Sequence, residues 1–169
     1  MKQKLFWLVV LLLLSSVGIA QEDPENIALG KTVVTSSVES AAHPASNAVD
    51  GEPATRWSTE YVDGQTLDID LEAVYAVTDV TLRWEAAFGS VYDIQVWDGT
   101  GWITVFSEAE GDGDVDEITL AEPVNTRYIR MNGIIRGTQW GFSLWEMEVY
   151  GTLAEPDEML EVMPMSFDV

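Results

Sequence analysis

Short stretches in which apolar and polar side chains alternate with a period of two recur along this chain, and no segment keeps a 3.6-residue period for long. Residues 66–71 (Thr-Leu-Asp-Ile-Asp-Leu) and 80–84 (Val-Thr-Leu-Arg-Trp) show it most clearly. Residues 91–97, 102–106, 115–120, 127–131 and 146–150 complete the set. The Thr/Val/Ser run over 32–37 has the composition of an edge strand. Asp98-Gly99-Thr100-Gly101 joins two of these stretches and signals a hairpin. Many short strands spaced by Gly and Asp turns predict an all-β fold, a sandwich or jelly roll. No internal repeat is present.

Residues 1–20 read as a secretory signal. Lys2 and Lys4 give a positive start, residues 5–14 an apolar core, and Gly18-Ile19-Ala20 a small-residue cleavage site. The apolar run is short for a membrane span and an acidic segment follows it at once. A secreted chain is expected, with the periplasm as the other compartment of export. Cleavage leaves about 149 residues, suited to one domain. There are no cysteines, so an exported fold must hold by core packing, alone or with a metal, rather than by disulfides.

The formal charge is −21, and loss of Lys2 and Lys4 makes it −23, with Lys31 the one remaining lysine. Such a surface repels nucleic acid and anionic lipid headgroups. Attraction to cations or amino sugars and simple solubility in a salty or acidic medium are both consistent with it.

The stretch Asn47-Ala48-Val49-Asp50-Gly51-Glu52-Pro53-Ala54-Thr55-Arg56-Trp57 is a loop, since Asp-Gly and Glu-Pro break regular structure. It offers the Asp50 carboxylate, the Thr55 hydroxyl and free backbone carbonyls, the oxygens a hard cation such as calcium takes. Glu146, on the late stretch Trp145-Glu146-Met147-Glu148-Val149-Tyr150-Gly151, could add a distant carboxylate and close the cage. The competing reading is an Asx turn in which Asp50 caps its own backbone. Residues 111–117 carry three alternating aspartates, but Glu117 and Pro123 stand where an EF-hand loop needs Gly and Glu. His43, beside Pro44, reads as a surface loop residue. Residues 152–169 read as an acidic, disordered tail.

These blocks, in order, resemble a discoidin domain, also called the coagulation factor 5/8 type C domain. They are Asn26-Ile27-Ala28-Leu29-Gly30-Lys31, residues 47–51 with Thr55-Arg56-Trp57, Tyr92-Asp93-Ile94-Gln95-Val96 with Gly101-Trp102, Arg127-Tyr128-Ile129-Arg130, and residues 143–151. The resemblance spans about residues 26–151 of a domain placed at 21–151, and is nearest to the family 32 carbohydrate-binding modules. It implies an eight-stranded antiparallel jelly-roll β-sandwich with a structural calcium site. In that pattern Asp50 and Glu146 give side-chain oxygens and Thr55 its hydroxyl and carbonyl. Asn47, Glu52 and Trp145 give backbone carbonyls, leaving their side chains free. Glu52 departs from the Asp or Asn that many members carry there.

Residues 36–39, 56–61, 83–89 and 136–142 further resemble a subgroup from β-glucan- and chitosan-degrading enzymes. The similarity implies a sugar site of Glu39, Arg56, Tyr61, Glu85 and Trp140. Trp140 also stands out by itself, between Gly137 and Gly141 in a polar loop that suits no core residue. Trp57, Trp84, Trp97, Trp102 and Trp145 lie on or beside strands, where packing is expected. The expected function is a secreted, non-catalytic carbohydrate-binding module, a monomer, for a β-glucan or a glucosamine polymer, acting with a partner enzyme or cell-surface protein. An adhesion or protein-interaction domain is the alternative. A glycosidase with Glu39 and Glu85 as its acid and base would need a cleft that small sandwiches rarely make. Insertion into anionic membranes needs basic and apolar loop tips, and the negative charge of this chain opposes it.

Overall fold

The computed structural model describes residues 24–155; the expected signal segment and residues 156–169 of the expected tail lie outside the described residues. The strands are β1 (Thr32–Thr35), β2 (Trp57–Ser58), β3 (Gln65–Trp84), β4 (Gly89–Trp97), β5 (Trp102–Glu108), β6 (Val115–Arg136) and β7 (Ser143–Leu153). A short 3-10 turn, Ala45–Val49, precedes β2. Every strand pairing is antiparallel.

The frame is a long ribbon of β3 against β6, with Gln65 opposite Gly133 at one end and Arg83 opposite Val115 at the other. Its register slips between Asp70 and Tyr75 and again between Val77 and Asp79. Such irregularities bend a ladder without ending it. Before the bend, β3 also pairs with β1, Thr35 facing Leu67; after it, β3 pairs with β7, Val80 facing Val149. One layer therefore runs β1-β3-β6-β4-β5 and the other β6-β3-β7-β2. Leu67, Ile69, Ile94, Ile129 and Met131 from the first layer pack with Val80, Leu82, Met147 and Val149 from the second in one core. Burial of each such side chain stabilises by about 1.5–3 kcal/mol.

This is the expected all-β jelly-roll sandwich, with one difference in strand count. Residues 66–71 and 80–84 are halves of one strand, as are 115–120 and 127–131. The turn between 71 and 80 is a bend held by local bonds. Glu72 takes a φ of 68°, and its amide donates to Asp70 Oδ1 at 2.8 Å. The last strand also runs past residue 151. Thr152 and Leu153 continue β7, and the Ala154 amide donates to the Val74 carbonyl at 3.0 Å.

The tryptophans of the strands behave as expected: Trp57 and Trp84 are buried, and Trp97, Trp102 and Trp145 are partly so. Trp97 faces Trp102 across the hairpin, whose Asp98 carboxylate accepts from the Thr100 and Gly101 amides at 2.8 Å each.

The pairings collect four connections at one end of the sandwich. They are residues 59–64 before β3, 85–88 after it, 109–114 before β6 and 137–142 after it. Arg136 opposite Gly89 and Ser58 opposite Ser143 draw them together.

Candidate functional site

Two sites lie at or beside this end. The first gathers the residues expected to bind a sugar. Glu39, Arg56, Tyr61, Glu85 and Trp140 come from four separate stretches and line one cavity of about 250 Å³, with Ser58, Ala86 and Ala87. Backbone bonds fix the stretches: the Glu39 amide donates to the Ser58 carbonyl at 2.7 Å, and the Glu85 amide to the Ser143 carbonyl at 3.0 Å.

Glu39 is the hub. Its carboxylate accepts from the Tyr61 hydroxyl at 2.5 Å and from Arg56 Nη2 at 3.3 Å, and His43 Nδ1 lies 3.0 Å away. The Tyr61 bond pulls the Glu39 carboxyl below the usual carboxylate range; burial pushes it up, and Arg56 adds to the lowering. Arg56 Nη1 donates to Ser143 Oγ at 2.9 Å, which ties the cavity floor to β7. Glu85 is less engaged, accepting one bond from the Ala87 amide at 3.2 Å.

Trp140 is 49% exposed and meets the Tyr61 ring edge-on, with centroids 5.5 Å apart. An exposed indole at a cavity mouth offers a flat apolar face for the C–H side of a pyranose. The turn after it requires glycine: a Cβ on Gly141 would stand 2.4 Å from Thr59 Oγ1.

Sequence reasoning missed two residues here. His43, read as a bystander, sits against Glu39; its position next to Pro44 gave no sign of that contact. Arg136 opened the 136–142 segment of the resemblance but was given no role. In the structure its Nη1 donates to the carbonyls of Tyr61 (2.7 Å), Trp140 (3.2 Å) and Gln139 (3.3 Å), and its Nε to Asp63 Oδ1 (2.9 Å). Arg136 thus pins the two loops that carry the aromatic pair.

The second site is the loop from Asp50 to Arg56 against β7. Gly51 has a φ of +75°, and a Cβ there would stand 2.9 Å from Leu29. The turn folds Thr55 Oγ1 onto both Asp50 oxygens, at 3.0 and 2.8 Å, and within 3.1 Å of the Glu52 carbonyl. Asp50 Oδ1 also accepts from the Glu52 amide at 2.9 Å, so the Asx turn is present as well. Glu146 faces this loop from the outer side of β7. There the register shifts between Arg83 and Trp84, which makes Trp145 the extra residue of a bulge. A bulged residue is released from the ladder.

Both Glu146 carboxylate oxygens are buried without a well-formed hydrogen bond, and they face the Asp50 carboxyl and the Gly51 amide. Burial, then the charge of Asp50, pushes the Glu146 carboxyl up to about 7. Among the described residues no group of three or more His, Asp or Glu side chains stands at metal-binding spacing. Two carboxylates, a hydroxyl and carbonyls form a donor set of oxygen alone, which suits calcium rather than zinc. One expectation needs correction. The Asn47 side chain is not free, since its Nδ2 donates to the Arg56 carbonyl at 3.1 Å and closes the far end of the loop.

The F5/8 type C domain family model matches residues 32–147. Chitosan-binding module 1 of a chitosanase/glucanase from Paenibacillus sp. IK-5 is 45% identical, with a TM-score of 0.72, over 75% of this chain and 99% of the module. Module 2 of that enzyme, solved in complex with chitotriose, is 42% identical, with a TM-score of 0.72, over 75% of this chain and all of the module. A polysaccharide lyase 8 family protein, HylA, from Enterococcus faecalis is 32% identical over 110 residues, and this chain spans 8% of that protein's length. With the sandwich and the match over residues 32–147 together, the chain belongs to the F5/8 type C domain family.

Proposed function

We propose that this chain is a secreted, non-catalytic carbohydrate-binding module for a polysaccharide, with glucosamine polymers favoured over neutral β-glucans. One observation carries the reading: five residues from four stretches meet in one cavity beneath an exposed tryptophan. Stacking on Trp140 would bind the apolar face of a sugar, and Arg56, Glu39 and Tyr61 would orient its hydroxyls through charge-assisted hydrogen bonds. Glu85, with one backbone amide as its partner, is the carboxylate left for an ammonium group. The relatives described as chitosan-binding support that choice of polymer.

The same geometry speaks against Glu39 as the acid of a glycosidase pair. A general acid needs a raised pKa at its working pH. Glu39 is held below the ordinary range by Tyr61, so it is a poor proton donor.

The loop site would hold a structural calcium. Asp50 and Glu146 would give carboxylate oxygens, Thr55 its hydroxyl and carbonyl, and Asn47, Glu52 and Trp145 backbone carbonyls. The buried Glu146 carboxylate, turned toward that of Asp50, supports this, because two facing carboxylates need a cation or a proton between them. The ion would supply a tie between an early loop and the last strand.

Polysaccharide pull-down tests the reading. The protein should be retained on chitosan, and Trp140→Ala should lose most retention while keeping its melting temperature. Equal retention of the variant would refute the site.

A further inference from the structure

The cavity under Trp140 is not isolated. It shares the wall formed by Glu85 and Ala86 with a second cavity of about 430 Å³. Trp84, Phe88 and Trp145 form the apolar sides of this second cavity, and Asp112 and Asp114 stand exposed at its rim. The rim turn is held in place. Gly113 has a φ of +92° with its Cβ direction 3.0 Å from the Phe88 ring, and the Asp114 carbonyl accepts from the Trp84 amide at 2.8 Å.

The chemistry of this second cavity is one-sided. No Lys or Arg lines it. Among the described residues, neither the Asp112 nor the Asp114 carboxylate has a hydrogen-bond or ion-pair partner. Among those residues other surface carboxylates, such as Glu122, also lack a partner; what distinguishes Asp112 and Asp114 is their place at the rim of an aromatic-walled cavity. Unmatched carboxylates over aromatic walls, joined through Glu85 to a cavity read as a sugar site, make a cationic polymer the fitting occupant.

We infer that the second cavity is a further subsite, in which Trp145 and Phe88 contact a following residue of the same glucosamine chain and Asp112 and Asp114 select its ammonium group. The inference rests on the sugar reading of the first cavity. It makes affinity depend on chain length: a short oligomer occupies the Trp140 cavity alone, and a longer one crosses Glu85 into the second.

Calorimetric titration with glucosamine oligomers of two and six residues tests it. Asp112→Asn with Asp114→Asn removes the two charges at constant shape, and asparagine tolerates the φ of 60° at position 114. Glu122→Gln with Glu155→Gln, at the far end of the sandwich, makes the same change in net charge as a control. The rim variant should weaken hexamer binding about three- to tenfold and leave dimer binding unchanged. The control should change neither, and Trp140→Ala should weaken both. Hexamer affinity equal in the rim variant and the parent overturns the second subsite alone. An equal loss for dimer and hexamer, or the same loss in the control, also overturns it, as a bulk charge effect. Failure of the parent to bind any glucosamine oligomer overturns the sugar reading and the subsite with it.

Discussion

Replacing Arg136 by methionine keeps most of the apolar stem and removes the guanidinium that joins the Tyr61 and Trp140 loops. Its side chain is 22% exposed, so its carbonyl bonds are partly shielded from water. The bond to the Tyr61 carbonyl at 2.7 Å is the strong one, and those to Trp140 and Gln139 at 3.2 and 3.3 Å are weaker. The ion pair to Asp63 is solvent-exposed and is left out of the sum. Together the carbonyl bonds stabilise by about 1–2 kcal/mol. For a domain of this size that is a fall in melting temperature of about 4–8 °C. The effect on binding has a separate origin. A freed Trp140 loop must be ordered by the ligand, at about 0.5–1.5 kcal/mol for the side chain, so affinity should drop up to about tenfold. Differential scanning fluorimetry reads the first effect and titration calorimetry the second. A double-mutant cycle separates positioning from direct contact. With Trp140 already alanine, Arg136→Met should cost little further binding. An equal binding loss in both backgrounds, or no loss in either, would refute the claim that Arg136 acts by placing Trp140.

Calcium at a hundredfold excess over its dissociation constant would stabilise by about 2.7 kcal/mol, so chelation should lower the melting temperature by about 10 °C. Asp50→Ala should melt early and ignore added calcium; an unchanged melt in both tests rejects the metal. Acid stability follows from paired carboxylates. Burial pushes the Asp70 carboxyl up, but Arg127 and the Glu72 amide bring it net below its ordinary value. Its contribution is then full above the unfolded value, about 3.9, and is lost as pH falls through the lower folded value. Asp70→Asn should flatten the acid limb of a melting-temperature profile, and an unaltered limb would show that the pair does not govern it.

Much of the architecture was legible because period-two alternation reports directly which face of a strand is buried. It placed Leu67 and Ile69, and Val80 and Leu82, in the core. It could not show that these pairs belong to one bent strand, because a bend held by Glu72 and Asp70 looks like any polar turn. The sugar cavity was legible only in part. Trp140 betrayed itself by its glycine-flanked loop, whereas Glu39, Arg56, Tyr61 and Glu85 needed the resemblance, since no local pattern says that residues 39 and 85 will meet. Arg136 was illegible for the same reason, its partner being a backbone carbonyl 75 positions away. His43 was illegible because its partner, four positions back, lies in a non-helical loop where that spacing predicts no contact.

The central claim is that a sugar stacks on Trp140, and the indole N–H resonances of the protein report on it most directly. During titration with a glucosamine trisaccharide, the Trp140 signal, assigned by its loss in Trp140→Ala, should move progressively to saturation. The signal of Trp57, fully buried in the core, should stay fixed. A Trp140 resonance that does not move at saturating trisaccharide, or indole signals that all move together, would contradict the account.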